Sequence, residues 1–205
     1  MLGYYDYTVV LTYVSLVISI VGITNAIQGN FRIAILCLAV SGLCDMFDGK
    51  IARTKKNRTE EEKRFGIQID SLCDVICFGV FPIVICYCIG LNTPIGIAVI
   101  SMYGVASVIR LGYFNVSEEK RQNETSEVRE YYQGLPITSM AIILPFWWLI
   151  RGYLGQHYIF ILHILVVIVG TLFISDIRVK KPQNPAVIIM VAAIALALAK
   201  MFHLI

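Results

Sequence analysis

Asp45, Asp48, Asp70 and Asp74 stand among apolar residues in the segment SGLCDMFDGKIARTKKNRTEEEKRFGIQIDSLCDVICFGV. An ionised carboxylate inside a membrane is expensive and needs a partner or a cation. Asp45 and Asp48 are three residues apart and Asp70 and Asp74 four apart, so each pair shares one face of a helix. An antiparallel helix pair joined by one loop lets those faces converge. Carboxylates at such a crossing suit hard divalent cations, Mg²⁺ or Mn²⁺, which prefer oxygen ligands. Two such ions about 3.5–4 Å apart form a recurrent centre for in-line displacement at phosphorus. Gly49 and Gly66 leave room beside the carboxylates for a backbone, a nucleotide or a phosphate. Arg53 offers a fork of donors to phosphate. Ion pairing with Lys50, Arg53 or Arg110 accounts for one or two of the carboxylates and leaves the others without a partner.

The elements that carry these residues are those of a membrane. Of 205 residues, 58% are hydrophobic and 15% charged, with a mean hydropathy of +0.74. That composition excludes an ordinary soluble domain and predicts an all-α, polytopic bundle of six to seven or more spanning helices. Spans are expected at about 8–28, 31–54, 66–91, 94–116, 135–152, 157–175 and 184–204. The first apolar stretch has neither a charged leader nor a small-residue cleavage site, so it is expected to remain as a spanning helix. Residues 1–205 are expected to form a single integral membrane domain with its motif core at 45–74.

Short connections near 29–30, 91–94 and 152–156 alternate with longer, charged ones near 55–65, 117–133 and 176–183. The longer set holds Lys55, Lys56, Arg58, Lys63, Arg64, Lys120, Arg121, Arg129, Arg178, Lys180 and Lys181, whereas the short set borders only Arg32 and Arg151. The positive-inside rule places the longer loops and the N-terminus in the cytoplasm, with the aspartates at that face of the cell membrane. Lys55, Lys56, Arg58, Lys63 and Arg64 read as a basic loop drawn to anionic lipid, with Glu60, Glu61 and Glu62 keeping it solvated. Trp147, Trp148 and the tyrosines Tyr4, Tyr5 and Tyr7 fit interfacial belts. The six cysteines read as small packing residues, and His157, His163 and His203 as interfacial or packing ones. The Ala-rich last span, with Lys200 as its polar feature, reads as a packing helix and a candidate dimer seam.

DMFDGKIAR followed by GIQIDSLCD resembles the signature of the CDP-alcohol phosphotransferases, membrane enzymes of phospholipid synthesis. Its fixed positions are met by Asp45, Asp48, Gly49, Ala52, Arg53, Gly66, Asp70 and Asp74. The gap between Arg53 and Gly66 is twelve residues where eight are common, and the longer gap is similar to the phosphatidylserine synthase branch. RLGYFN at 110–115, YYQGLP at 131–136 and SDIRVKKP at 175–182 resemble further segments of that branch. Gly112 and Tyr113 depart from its usual Ala and Arg, and Ser15 stands where it often has Asn. The resemblance covers about residues 8–182.

The resemblance implies the family's fold and its reaction: transfer of the phosphatidyl or archaetidyl group from a CDP-linked lipid to the hydroxyl of L-serine, releasing CMP. It implies two divalent cations, Mg²⁺ or Mn²⁺, held by Asp45, Asp48, Asp70 and Asp74, with Asp74 as general base. Gly49, Ala52, Arg53, Thr54 and Gly66 would receive the nucleotide. For the carboxylate and amine of serine, the candidates are Arg110, Asn115 and Gln133. Membrane lipids and a second copy of the chain are the expected partners, and nucleic acid is not. One alternative keeps the chemistry and changes the acceptor to inositol phosphate or glycerol phosphate. A more remote one is a cation or proton transporter, which would stagger its carboxylates through the membrane depth.

Overall fold

The computed structural model describes residues 3, 7–52, 55, 59–124 and 131–180. The expected last span at 184–204, with Lys200 and His203, lies outside the described residues. So do Tyr4, Tyr5, Arg53, Thr54, Lys56, Arg58, Arg129 and Lys181.

The described chain is helical almost throughout. Helix α1 covers Val10–Ile27 and α2 Phe31–Ala52. α3 covers Glu60–Asp74, passes through a π-helical turn at Val75–Val80, and continues as α4, Phe81–Ile89. α5 covers Pro94–Glu124, α6 Met140–Ile150 and α7 Tyr158–Ile174. Among the described residues, four stretches are long and apolar enough to cross a membrane: Val10–Ile27, Glu60–Ile89, Pro94–Arg121 and Ile137–Ile174. At 22 residues α2 is about 33 Å long, but Arg32, Asp45, Asp48 and Lys50 interrupt its apolar character.

Helix boundaries differ from the expected ones for local reasons. α3 begins six residues before the expected position at 66, because Thr59 and Glu62 form a capping box. The Thr59 hydroxyl accepts from the Glu62 amide at 3.2 Å, and the Glu62 carboxylate accepts from the Thr59 amide at 2.9 Å. Glu60, Glu61 and Glu62 therefore form the first turn of a helix rather than a solvating loop, where negative charge favours the helix dipole. α5 runs past 116 to Glu124, where Glu118 and Arg121 pair one turn apart. At 31 residues it is about 46 Å long, more than the roughly 30 Å of a bilayer's hydrocarbon core.

Two short strands were not expected. β1, Tyr131–Gln133, pairs antiparallel with β2, Arg178–Lys180, with Tyr132 opposite Val179. Gly134 follows β1 at φ 76°, and a Cβ there would lie 2.7 Å from the Phe173 carbonyl oxygen. The pairing holds the segment after α5 and the segment after α7 at the same end of the bundle. Between them the apolar stretch Ile137–Ile174 is broken at Gly155, whose φ of 56° and ψ of −135° are not helical.

The core lies between α1, α2, α4, α6 and α7. Phe78, Phe81, Ile85, Leu144, Trp147 and Leu162 are buried there beside the small residues Ala26 and Ala34. Without a hydrophobic drive between helices in lipid, close approach of small residues supplies the packing. At Gly22 a Cβ would sit 2.2 Å from Phe81 Cζ and 2.7 Å from Cys37 Cβ, so α1, α2 and α4 meet over a bare backbone. Gly22→Ala is therefore expected to cost about 1–3 kcal/mol through overpacking, read as a lower thermal midpoint in detergent. Gly112→Ala, which meets open space, is expected to stay within about 0.5 kcal/mol of the parent.

Candidate functional site

Asp45 and Asp48 lie in the last two turns of α2, and Asp70 and Asp74 in the last turn and a half of α3. The structure brings the two faces together as the spacing predicts. Asp45, Asp70 and Asp74 each place one carboxylate oxygen within 4.8 Å of the others. Asp48 is buried, 8% exposed, and accepts from the Thr12 hydroxyl of α1 at 3.3 Å. Its carboxyl also meets that of Asp70, and the Asp74 carboxyl meets that of Asp45.

Carboxylates packed against one another repel strongly in a medium of low dielectric unless a proton or a cation lies between them. Oδ1 of Asp70 is buried and has no hydrogen-bond partner. An orphaned anionic oxygen at the centre of an all-oxygen donor set fits a hard divalent cation. Asp45, Asp70 and Asp74 could hold one, and the buried Asp48 stands beside them.

The other candidates divide. Gly49 follows Asp48 on α2, Ala52 ends that helix, and Gly66 lies one turn before Asp70 on α3. Arg53 and Thr54 fall outside the described residues. Asn115 of α5 reaches the aspartate-bearing helix α3: its side-chain oxygen accepts from the Ser71 hydroxyl at 2.5 Å, and its amide nitrogen donates to Gln68 Oε1 at 3.4 Å. Arg110 is buried, 5% exposed, and donates from Nε to the Leu135 carbonyl at 3.1 Å. Gln133 is exposed on β1 and accepts from the Tyr113 hydroxyl at 2.6 Å. Asn115 thus touches the aspartate-bearing helix, while Arg110 and Gln133 order the strand segment beside α5.

Some polar groups near the carboxylates were not singled out from the spacing. Thr12, Ser15 and Ser19 form one buried stripe of α1. Ser41 Oγ lies 2.6 Å from Ser15 Oγ and 2.9 Å from Ser19 Oγ, and Ser15 also reaches Cys77 Sγ at 3.7 Å. The signal was present as hydroxyl residues at helical period in an otherwise apolar helix. What it pointed at became visible once α1 was docked on α2. Of the expected basic loop, Lys63 and Arg64 belong to α3 because its capping box starts the helix at Glu60; Lys55 pairs with Glu62 at 3.1 Å, Lys63 with Glu60 at 2.7 Å and Arg64 with Glu119 at 3.4 Å.

A family model described as CDP-alcohol phosphatidyltransferase matches residues 7–173. A CDP-diacylglycerol–serine O-phosphatidyltransferase of Mycobacterium leprae is 30% identical over 94% of the chain and 64% of its own length. A Saccharomyces cerevisiae protein of the same name is 33% identical over 54% of the chain and 40% of its own length. One of Methanocaldococcus jannaschii is 30% identical over 91% of the chain and 81% of its own length. The chain therefore spans less than two thirds of the first two relatives.

The carboxylate geometry makes a direct prediction. Mn²⁺ at about a hundred times its dissociation constant should stabilise the folded protein by about 2.7 kcal/mol, read as a raised unfolding midpoint that chelator reverses. Asp70→Asn should abolish most of that increment. An equal increment in Asp70→Asn would show that the ion binds elsewhere.

Proposed function

This chain belongs to the CDP-alcohol phosphatidyltransferase family, and from that premise we propose that it transfers the phosphatidyl or archaetidyl group of a CDP-linked lipid to L-serine, releasing CMP. The convergence of Asp45, Asp70 and Asp74 from two helices, with Asp48 beside them, is the observation that carries this reading. The names of the relatives point to serine as acceptor.

Asp45, Asp48, Asp70 and Asp74 would hold two divalent ions, Mg²⁺ or Mn²⁺. Bound there, the ions would neutralise the donor's diphosphate and the charge that develops on its oxygens. The remaining work falls to side chains. Asp74 takes the proton from the serine hydroxyl, whose oxygen is a poor nucleophile until that proton leaves. The serine oxygen bonds to the lipid-side phosphorus, and the bond from that phosphorus to the oxygen of CMP breaks. Gly49, Ala52 and Gly66 leave space for the nucleotide, with Arg53 and Thr54 beside its phosphates. Asn115, already bonded to Ser71 next to Asp70, is placed to orient the acceptor. Arg110 and Gln133 act from the β1 side, Arg110 supplying the positive charge that a serine carboxylate needs.

The single domain sits in the cell membrane with the aspartates at the cytoplasmic face, as the charge of its longer loops suggests. α1, α2, the joined α3 and α4, α5, α6 and α7 make six crossings. Counting α6 and α7 separately rests on the break at Gly155 and on the β1–β2 pairing, which requires α6 to run back. A seventh crossing at 184–204 and a homodimer complete the reading.

The test is CMP release from a CDP-linked lipid by purified protein with Mn²⁺ or Mg²⁺. Serine is expected to support it, whereas inositol phosphate and glycerol phosphate are not. Asp74→Asn should lower the rate by about 10²-fold or more, the contribution of a positioned base. Release with a phosphorylated acceptor alone would replace serine. No release with any acceptor from folded, metal-loaded protein would overturn the reading.

A further inference from the structure

At the end of the bundle away from the aspartates, a cavity of about 340 Å³ opens between the start of α2 and the turn joining α6 to α7. Phe31, Trp148, Arg151, Gly155 and Tyr158 line it. Arg32, at the second position of α2, is sixteen residues from Asp48, which is about 24 Å along the helix axis. The cavity is therefore separate from the carboxylate site.

Its chemistry is that of donors without acceptors. The Arg151 guanidinium lies 3.5 Å over the Trp148 ring and spends one N–H on the Trp148 carbonyl. A guanidinium carries five N–H donors in a fixed fork, so others remain to be directed at a ligand. Arg151 also feels the like charge of Arg32, which is exposed. No Asp or Glu occurs in 25–33, 86–97 or 148–160, the segments that meet at this end. Two arginines without a carboxylate repel, and an oxyanion held by the Arg151 fork would offset that repulsion. The Arg151–Trp148 stack pre-orders the fork for bidentate contact with phosphate oxygens. Phe31, tilted against Trp148 with ring centroids 5.6 Å apart, and Tyr158 give the cavity apolar walls.

We propose that this cavity binds the phosphate group of a glycerophospholipid in the leaflet opposite the aspartates. Arg151 supplies the fork of donors, the charge of Arg32 adds to the attraction, and the aromatic walls meet the glycerol end.

Native mass spectrometry of the detergent-purified full chain tests this, with short-chain phosphatidylglycerol, diacylglycerol and inorganic phosphate as separate probes. Phosphatidylglycerol should be retained and diacylglycerol lost. Inorganic phosphate should bind more weakly but compete in excess. Arg151→Gln should weaken retention by roughly tenfold, the equivalent of one charge-assisted hydrogen bond. Arg32→Gln, at an exposed position, should weaken it several-fold. It decides the matter if Arg151→Gln does not fold. Asp70→Asn should retain the lipid as the parent does. Equal retention of diacylglycerol, or retention unchanged in the variants, overturns the site. Inorganic phosphate held as tightly as the lipid overturns the lipid assignment.

Discussion

Mutual repulsion among closely packed carboxylates, one buried and three half-buried, is the constraint on which this bundle is organised. Asp45, Asp48, Asp70 and Asp74 cannot all remain ionised against one another in a low-dielectric interior without compensating positive charge. Yet two helices are packed so that they meet, with Asp70 Oδ1 left without a protein donor. A fold selected for its own stability would separate these groups or give each an arginine. Their convergence makes sense if a cation completes the structure, so that part of the protein's stability is metal binding.

Neighbouring elements fit that arrangement. α1 lies against α2 on small residues, close enough for Thr12 to reach Asp48 and for Ser15 and Ser19 to share Ser41. In lipid, hydroxyls buried between helices satisfy one another and so fix the rotation of one helix about the other. The π-helical turn begins directly after Asp74. Such turns shift the face of a helix and frequently occur at functional sites. The Tyr103 hydroxyl donates to the Phe78 carbonyl within this turn at 2.6 Å, and Ser107 bonds back to Tyr103 at 2.8 Å. α5 therefore holds α3 from two levels, through Tyr103 in the interior and through Asn115 beside Ser71.

The two ends of the bundle carry opposite chemistry. One gathers carboxylates on helices whose flanking cations, Lys55 before α3 and Lys63 and Arg64 in its first turns, pair with glutamates of α3 and α5. The other has two arginines, aromatic rings and no acidic side chain in its connecting segments. An interface rich in indole and guanidinium suits the headgroup region, where an apolar body and a polar tip can each find a matching environment.

The sequence by itself determined the class and the candidates for the chemistry. Aspartates at helical spacing in apolar segments point to a cation site from two local facts, the cost of burying charge and the 3.6-residue period. Eight motif residues sufficed for the family. Both are readable because they depend on neighbours in the chain. Even the early start of α3 was written in Thr59 and Glu62, a local signal overridden in the reading by the charge of the loop. What only the tertiary structure decided is which candidates meet. Asn115 of α5 meets Ser71 on the aspartate-bearing helix α3, whereas Gln133 is drawn to Tyr113 and Arg110 donates to Leu135. The strand pair, the Thr12–Asp48 contact and the distant arginine cavity join residues 36 to 127 positions apart. No local period encodes such contacts, because they follow from how helices rotate and cross once packed.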